Sequence, residues 1–102
     1  MKRLISSFVF FLSQIFQLQA DSDPLVIGME LEYPPFEFVA EDGTNDGVSV
    51  KMAKALSSYL GRPLEIQNIK FDALITALKS DNIDLIISSM TATEERRRSI
   101  NF

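Results

Sequence analysis

The sequence of 102 residues contains no cysteine and no histidine. Without cysteine, the chain cannot form a disulfide framework, offer a thiol nucleophile or carry a lipid on a cysteine behind an export signal. Without histidine, it has neither a Ser–His catalytic pair nor an imidazole ligand for a metal ion. Catalysis therefore has little support, and we expect no catalytic residues, no metal site and no cofactor.

Positive charge is also scarce, since 14 acidic residues outnumber 10 basic ones. Once the first twenty residues are set aside, 8 basic and 14 acidic residues remain, which gives a net charge of −6. A chain this acidic is not expected to bind nucleic acid. The one basic cluster, at residues 96–98, follows two glutamates and indicates a helix face rather than a phosphate-binding patch.

The first twenty residues have the pattern of a secretory signal peptide. Lys2 and Arg3 precede a mostly apolar run that ends at Phe16, and Ala20 is a small residue suited to cleavage. The run is too short for a membrane span, which needs about 20 residues. We predict a cleaved signal over residues 1–20 and a periplasmic protein with no lipid anchor and no stable membrane span. The alternative is an uncleaved amphipathic anchor.

The rest of the chain alternates between short apolar strands and amphipathic helices. Apolar runs predict strands at residues 25–29 and 84–87, and apolar–polar alternation predicts a half-buried strand at 64–67. Apolar residues three or four apart predict helices at 49–60 and 71–78. This order favours a parallel sheet with helices on its faces and right-handed crossovers. We therefore expect an α/β fold built as β-α-β-α-β.

Details of this fold follow from local patterns. The first helix is predicted to bury a face made of Met52, Ala53, Leu56, Tyr59 and Leu60. The Asp-Gly pair at residues 42–43 predicts a hairpin turn between residues 37–39 and a segment near Val48. The segment from Tyr33 to Phe36 contains two consecutive prolines and is predicted to be irregular. Phe36 is expected in the core, and the alternative is an aromatic position beside a ligand.

Polar and aromatic side chains follow the carboxyl ends of the predicted strands, the edge where ligands bind in open parallel sheets. Glu30 and Tyr33 follow the first strand, and Phe71 follows the second. The two aromatic faces could pack on a small ligand or meet a cation. A carboxylate at Glu30 would favour an amine or a guanidinium. The ordinary alternatives are a core position for Phe71 and a solvated loop position for Glu30.

The loop after the third strand has the composition of a carboxylate site. Four hydroxyl side chains lie within six positions: Ser88, Ser89, Thr91 and Thr93. Thr93 is predicted to cap a short helix that contains Arg96 in its first turn. The helix dipole disfavours a cation there, whereas an anion between the helix start and the arginine fork would be favoured. The alternative is a solvated arginine paired with Asp72 or a glutamate.

Four segments together resemble the family 3 extracellular solute-binding proteins, the periplasmic amino-acid-binding components of ABC importers. They are LVIGMELEYPPFEF at 25–38, GVSVKMAKALSSYLG at 47–61, FDALITALKSDNIDLIISSMT at 71–91 and TEERRRSINF at 93–102. The resemblance implies a two-lobed periplasmic binding protein of type II, of which residues 21–102 form an incomplete N-terminal lobe with the second lobe absent. It also implies capture of a polar or basic amino acid for a membrane permease.

The resemblance assigns roles to residues of the predicted edge. Tyr33 and Phe71 would sandwich the ligand, and Arg96 would hold its α-carboxylate. Help would come from Thr91 and from the hydroxyls of Ser88 and Ser89. Glu30 stands where the family often has an aspartate that contacts the ligand side chain or amine.

The sequence departs from the family pattern at Ser49 and Lys51, which replace usual aspartates, but no proposed ligand contact is lost. Two other classes of protein use a lobe of this kind. One is the ligand-sensing module of a receptor or kinase. The other is the binding lobe of a cleft enzyme, of the dehydratase or murein-cleaving type.

Overall fold

The computed structural model describes residues 23–102, so the signal peptide expected at residues 1–20 lies outside the described residues. The elements in chain order are β1 (Leu25–Met29), β2 (Glu32–Tyr33), β3 (Glu37–Val39), β4 (Asn45–Asp46), α1 (Val48–Leu60), β5 (Leu64–Asn68), α2 (Phe71–Lys79), β6 (Leu85–Ile86) and α3 (Glu94–Arg97). The predicted alternation of strands and helices is confirmed, with a shorter last strand than the apolar run had indicated.

A parallel sheet with β1 at its centre organises the chain, in the strand order β5-β1-β6. β1 pairs with β5 along its whole length from Leu25 to Met29, and with β6 only at Ile27 and Gly28. Because both pairings are parallel, the three strands end at the same edge of the sheet. The predicted parallel α/β fold is therefore confirmed.

Successive side chains of a strand point to opposite faces of the sheet. In β1, one face meets α1 and the other meets α2. The apolar cluster on the α1 side consists of Leu25, Ile27, Met29, Leu31, Val50 and Ala53. On the other face, a Cβ built on Gly28 would lie 3.1 Å from a side-chain carbon of Leu74 in α2. Burial of Ile27 or Leu74, both fully inaccessible, contributes about 1.5–3 kcal/mol each.

The buried face of α1 differs from the predicted one. Of the five predicted residues, Ala53 is buried and Leu56 is partly buried, whereas Met52, Tyr59 and Leu60 are exposed. The buried residues of this helix are Ser49, Val50, Ala53 and Ser57. Small side chains form most of this face. The positions of the large apolar side chains therefore did not show which side of the helix is buried.

A second sheet, antiparallel and ordered β2-β3-β4, precedes α1. The predicted hairpin turn is present, but β4 at Asn45–Asp46 is the second strand rather than the segment near Val48. In the turn, Asp42 accepts hydrogen bonds from the hydroxyl and N–H of Thr44, and these bonds lower the pKa of its carboxyl. β2 places Tyr33 in a strand, although this segment was expected to be irregular.

Gly47 joins the second sheet to α1 where two backbone segments nearly touch. Its φ is +111°, and a Cβ there would lie 2.9 Å from the carbonyl oxygen of Pro35 and closer still to that of Phe36. These two carbonyls accept the first N–H groups of the helix, from Val48 at 3.3 Å and from Ser49 at 2.8 Å. The close approach thus satisfies two donors that a helix start leaves free.

Replacement of Gly47 by alanine tests this junction. We expect Gly47→Ala to lower the free energy of unfolding by about 3 kcal/mol or more, because the new methyl group adds a backbone collision to an unfavourable φ. Gly43→Ala is the matched control, since its φ is +84° but no atom lies within 4 Å of the added Cβ. Its expected cost is about 1–2 kcal/mol. Equal losses in urea unfolding would contradict the junction's role.

Candidate functional site

Glu30 ties together the loops that follow all three strands of the parallel sheet. Its N–H donates to Ser88 Oγ at 2.9 Å, and its carboxylate Oε2 accepts the N–H of Phe71 at 2.8 Å. Phe71 is the first residue of α2, so the carboxylate lies at the positive end of that helix. The predicted meeting of these residues at one edge is therefore seen in direct contacts.

Ser88 is buried, with 5% of its surface exposed, and its hydroxyl oxygen receives the bond from Glu30. This bond joins the end of β6 to the end of β1. Burial leaves little of the hydroxyl open to a ligand, so the first role of Ser88 is to set the distance between two loops.

Arg96 lies in the first turn of α3 and extends its guanidinium over the ring of Phe71. Its Cζ is 5.3 Å from the ring centroid, and its Nη1 donates to the carbonyl oxygen of Thr91 at 2.9 Å. Thr93 caps this helix as predicted, because its Oγ1 accepts the N–H of Arg96 at 3.2 Å. The ring and the carbonyl fix the guanidinium plane while most of its five N–H donors stay available.

No carboxylate of residues 23–102 forms an ion pair with Arg96, although pairing with Asp72 or a glutamate was the ordinary alternative. The neighbouring Arg98 does pair with Glu94, at 3.6 Å. Within the described residues, no carboxylate therefore neutralises the positive charge of Arg96.

Ser89 is exposed and adopts a left-handed backbone conformation, with φ of +53°. Its hydroxyl donates to Oε2 of Glu37 at 3.0 Å, and the same oxygen accepts the hydroxyl of Ser49 at 2.9 Å. Sequence reasoning missed Glu37, because it was assigned only to a hairpin strand. Glu37 is 1% exposed, and its hydrogen-bond partners lie in α1 and in residues 87–93 (the β6 loop), 12 and 52 positions further along the chain.

Tyr33 stands apart from these contacts. Hydrogen bonds and ring contacts link five of the predicted residues to one another: Glu30, Phe71, Ser88, Thr91 and Arg96. Ser89 is linked to Glu37 instead. Among the described residues, none of these contacts involves the side chain of Tyr33. Its ring is 55% exposed and packs against Phe36, with ring centroids 5.2 Å apart. The prediction that Phe36 is a core residue is wrong, since it is 41% exposed.

Charge at this edge is divided between a paired and an unpaired glutamate. Glu32 accepts a hydrogen bond from the Lys70 ammonium at 3.1 Å, and this bond raises the pKa of Lys70 above its ordinary value. Glu30 bonds instead to a neutral N–H group. Within residues 23–102 no cation forms an ion pair with Glu30, although its charge also contributes to the raised pKa of Lys70.

Two of the depressions on the surface of residues 23–102 lie near this edge. The smaller, of about 310 Å³, lies beside the Arg96–Phe71 stack and also includes Asp72, Met90 and Glu95. The larger, of about 960 Å³, is an apolar groove between α1 and β6 that reaches Ser88 and Ser89. Ser88 and Ser89 line the larger depression and Phe71 and Arg96 the smaller, so neither of them contains all seven predicted residues.

Within residues 23–102, no three acidic, histidine or cysteine side chains come together in a group that could hold a metal ion. No helix in the same range combines the length and the apolar character needed to cross a membrane.

The fold and its edge define one lobe of an α/β binding protein, with aromatic and charged side chains gathered where parallel strands end. The chain belongs to the bacterial extracellular solute-binding proteins, family 3, whose family model matches residues 25–102. The resemblance stated from the sequence is therefore confirmed.

Three similar proteins illustrate the family. Arginine-binding extracellular protein ArtP of Bacillus subtilis is 43% identical over 79 residues, which cover 76% of this chain and 30% of that protein. The L-cystine-binding protein TcyJ of Escherichia coli is 35% identical over 78 residues, which cover 76% and 29%. The arginine-bound form of domain 1 from TmArgBP, of T. maritima, is 41% identical with a TM-score of 0.74, covering 80% of this chain and 64% of that one.

The chain spans about a third of the length of the two full-length relatives. It covers a larger share of an isolated domain 1, and it matches that domain in fold. The contacts described above therefore belong to one lobe of this family.

The link between Glu30 and α2 can be tested through stability. We expect Glu30→Ala to lower the free energy of unfolding by about 1 kcal/mol, because the first N–H of the helix loses its carboxylate. Glu32→Ala is the control, since it removes only an exposed ion pair with Lys70 and should cost clearly less. Denaturant unfolding that gives the reverse order would rule out the capping role.

Proposed function

We propose that the protein captures an amino acid with a cationic side chain, with L-arginine as the first candidate, and delivers it to the permease of an ABC importer. One observation carries the proposal. Phe71 is contacted by the Arg96 guanidinium on its ring and by the Glu30 carboxylate at its N–H group. A positive and a negative side chain are thus both in contact with Phe71. They would complement the carboxylate and the cationic end of an amino acid.

The α-carboxylate of the ligand would bind to Arg96. A guanidinium offers two parallel N–H groups that match a carboxylate, and Thr91 already orients this one through its carbonyl. The exposed hydroxyl of Thr91 would add a donor beside it. The absence of an ion pair at Arg96 within the described part of the chain supports this assignment.

The ligand side chain would lie between Tyr33 and Phe71 and point its charge toward Glu30. A planar guanidinium stacks well on aromatic faces, and a carboxylate attracts it. Tyr33 is exposed on its hairpin, so its ring is free to cover one side of a ligand. Glu30, which has no cationic partner among residues 23–102, would supply the charge that selects a cation.

The named relatives support an amino acid as the ligand, and two of the three support arginine. One is named as arginine-binding, a second as L-cystine-binding, and a crystallised domain 1 is described as arginine-bound. Arginine and cystine both carry an α-ammonium and an α-carboxylate and differ beyond the β-carbon, so we expect the relatives to differ in the residues around the ligand side chain. The isolated domain also suggests that contacts from one lobe hold the ligand.

The proposed mechanism is reversible capture without chemistry. The reported relatives are binding proteins rather than enzymes, which favours the transport role over a sensing module or a cleft enzyme. Family members are extracellular or periplasmic, and we propose periplasmic location for this protein as well. Its signal peptide would be cleaved, and no lipid would anchor it.

Removal of Arg96 tests the carboxylate assignment. In the intact protein, we expect Arg96→Ala to weaken L-arginine binding by at least about 100-fold, because the ligand carboxylate loses its charged partner. Arg97→Ala is the matched control from the same helix, because its guanidinium lies 5.9 Å from the Phe102 ring, away from Phe71. Titration calorimetry would measure both. Unchanged affinity in Arg96→Ala would contradict the proposal.

Replacement of Glu30 tests the charge selection. The wild-type protein should bind L-arginine at least about 10-fold more tightly than L-citrulline, its neutral isostere, because only the guanidinium meets a carboxylate. Glu30→Gln can still accept the N–H of Phe71 through its amide oxygen, so the helix start is kept. The ratio of the two affinities should then fall toward one. An undiminished ratio would assign the selection to another group.

A further inference from the structure

Glu37 is a buried carboxylate that the proposed ligand contacts do not use. It is 1% exposed, and a single oxygen, Oε2, accepts the hydroxyls of both Ser49 and Ser89. Within residues 23–102, no lysine or arginine forms an ion pair with it. A carboxylate removed from water is unfavourable unless hydrogen bonds compensate, so both hydroxyls are needed where they are.

The two hydroxyls come from different elements. Ser49 lies in the first turn of α1 and is itself buried, whereas Ser89 lies in the exposed loop that follows β6. Glu37 belongs to β3 of the small antiparallel sheet. One oxygen atom therefore connects the hairpin, the first helix and the loop that carries Thr91 toward Arg96.

The β6 loop has few other restraints. The backbone hydrogen bonds of the described residues do not include the N–H groups of Ser88, Ser89 or Met90. The loop is held instead by side-chain bonds, from Ser88 to Glu30 and from Ser89 to Glu37. Ser89 also has a positive φ that residues with a Cβ rarely adopt, so its conformation needs an external restraint.

We propose that Glu37 is a positioning residue for the β6 loop. Its carboxylate holds the loop by accepting a hydrogen bond from the Ser89 hydroxyl, while the Ser49 hydroxyl of α1 donates to the same oxygen. The bond also sets the polarity of Ser89. Since its only hydroxyl proton is donated to Glu37, Ser89 Oγ can act toward a ligand only as an acceptor. It then suits the α-ammonium group of an amino acid rather than the α-carboxylate. This last step rests on the proposed function.

The first test is independent of ligand and uses ¹⁵N relaxation of the intact, ligand-free protein. We expect backbone order parameters at Ser89 and Met90 of about 0.85 in the wild type and below about 0.6 in Glu37→Ala. Glu37→Gln should restore the wild-type values, because a single amide oxygen can still accept both hydroxyls. A rigid loop in Glu37→Ala, or a mobile one in Glu37→Gln, would overturn the proposal.

Two serine variants protect the test if Glu37→Ala fails to fold. Ser89→Ala removes only the loop's bond to Glu37 at an exposed position, so it should fold and show the same mobility at Met90. Ser49→Ala removes the other bond and should lower the stability of the whole protein while Ser89 stays ordered. A Ser89→Ala loop as rigid as the wild type would overturn the proposal even without the glutamate variant.

Affinity for L-arginine supplies the second readout. If the loop of Glu37→Ala is in its binding conformation a tenth of the time, affinity should fall by about 10-fold, and Glu37→Gln should recover it. Equal affinity in all three proteins would contradict the positioning role. A wild-type protein that binds no L-arginine would instead contradict the proposed function, and the order parameters would still decide the role of Glu37.

Discussion

Parallel pairing of β1 on both of its sides is the constraint on which the rest of the structure depends. Because β5 and β6 run in the same direction as β1, the residues that follow each strand are delivered to one edge. Glu30 then bonds to the loops after the other two strands, at Ser88 and at Phe71. Without this topology, a glutamate, a phenylalanine and a serine up to 58 positions apart would have no reason to meet.

The sequence predicted the parts of this arrangement that depend on local chemistry. Periodicity placed the strands and helices, because burial of one face imposes a repeat of two or 3.6 residues. Thr93 was identified as a helix cap, since a hydroxyl before two glutamates satisfies the first free N–H groups. The edge itself followed from strand order alone, and Glu30, Phe71, Ser88 and Arg96 do meet there.

The errors concern residues whose surroundings come from distant parts of the chain. Met52 and Tyr59 have apolar side chains in helical spacing, but α1 turns its small residues toward the sheet and leaves both exposed. Phe36 was placed in the core on apolar character, yet it lies in the turn between β2 and β3 and is 41% exposed. Glu37 gave no signal, because a buried carboxylate is recognisable only when Ser49 and Ser89 have been brought to it.

Within the described part of the chain, ion pairs at the edge neutralise some of its charged side chains and leave others without a partner of opposite charge. Lys70 neutralises Glu32 and leaves Glu30 to cap α2, while Glu94 pairs with Arg98 and leaves Arg96 against the Phe71 ring. Among residues 23–102, Glu30 and Arg96 are thus charges of opposite sign outside any ion pair, and both contact Phe71. Ser89, with its proton directed to Glu37, adds an acceptor to the same loop. This distribution fits a zwitterion with an extended cationic side chain.

The most direct test of the central claim is a calorimetric comparison of L-arginine with agmatine, which has the same guanidinium and amine but no carboxylate. If Arg96 and the β6 loop hold the α-carboxylate, the intact protein should bind L-arginine and bind agmatine at least about 100-fold more weakly. Equal affinities would contradict the account, because they would show that the carboxylate contributes nothing to recognition.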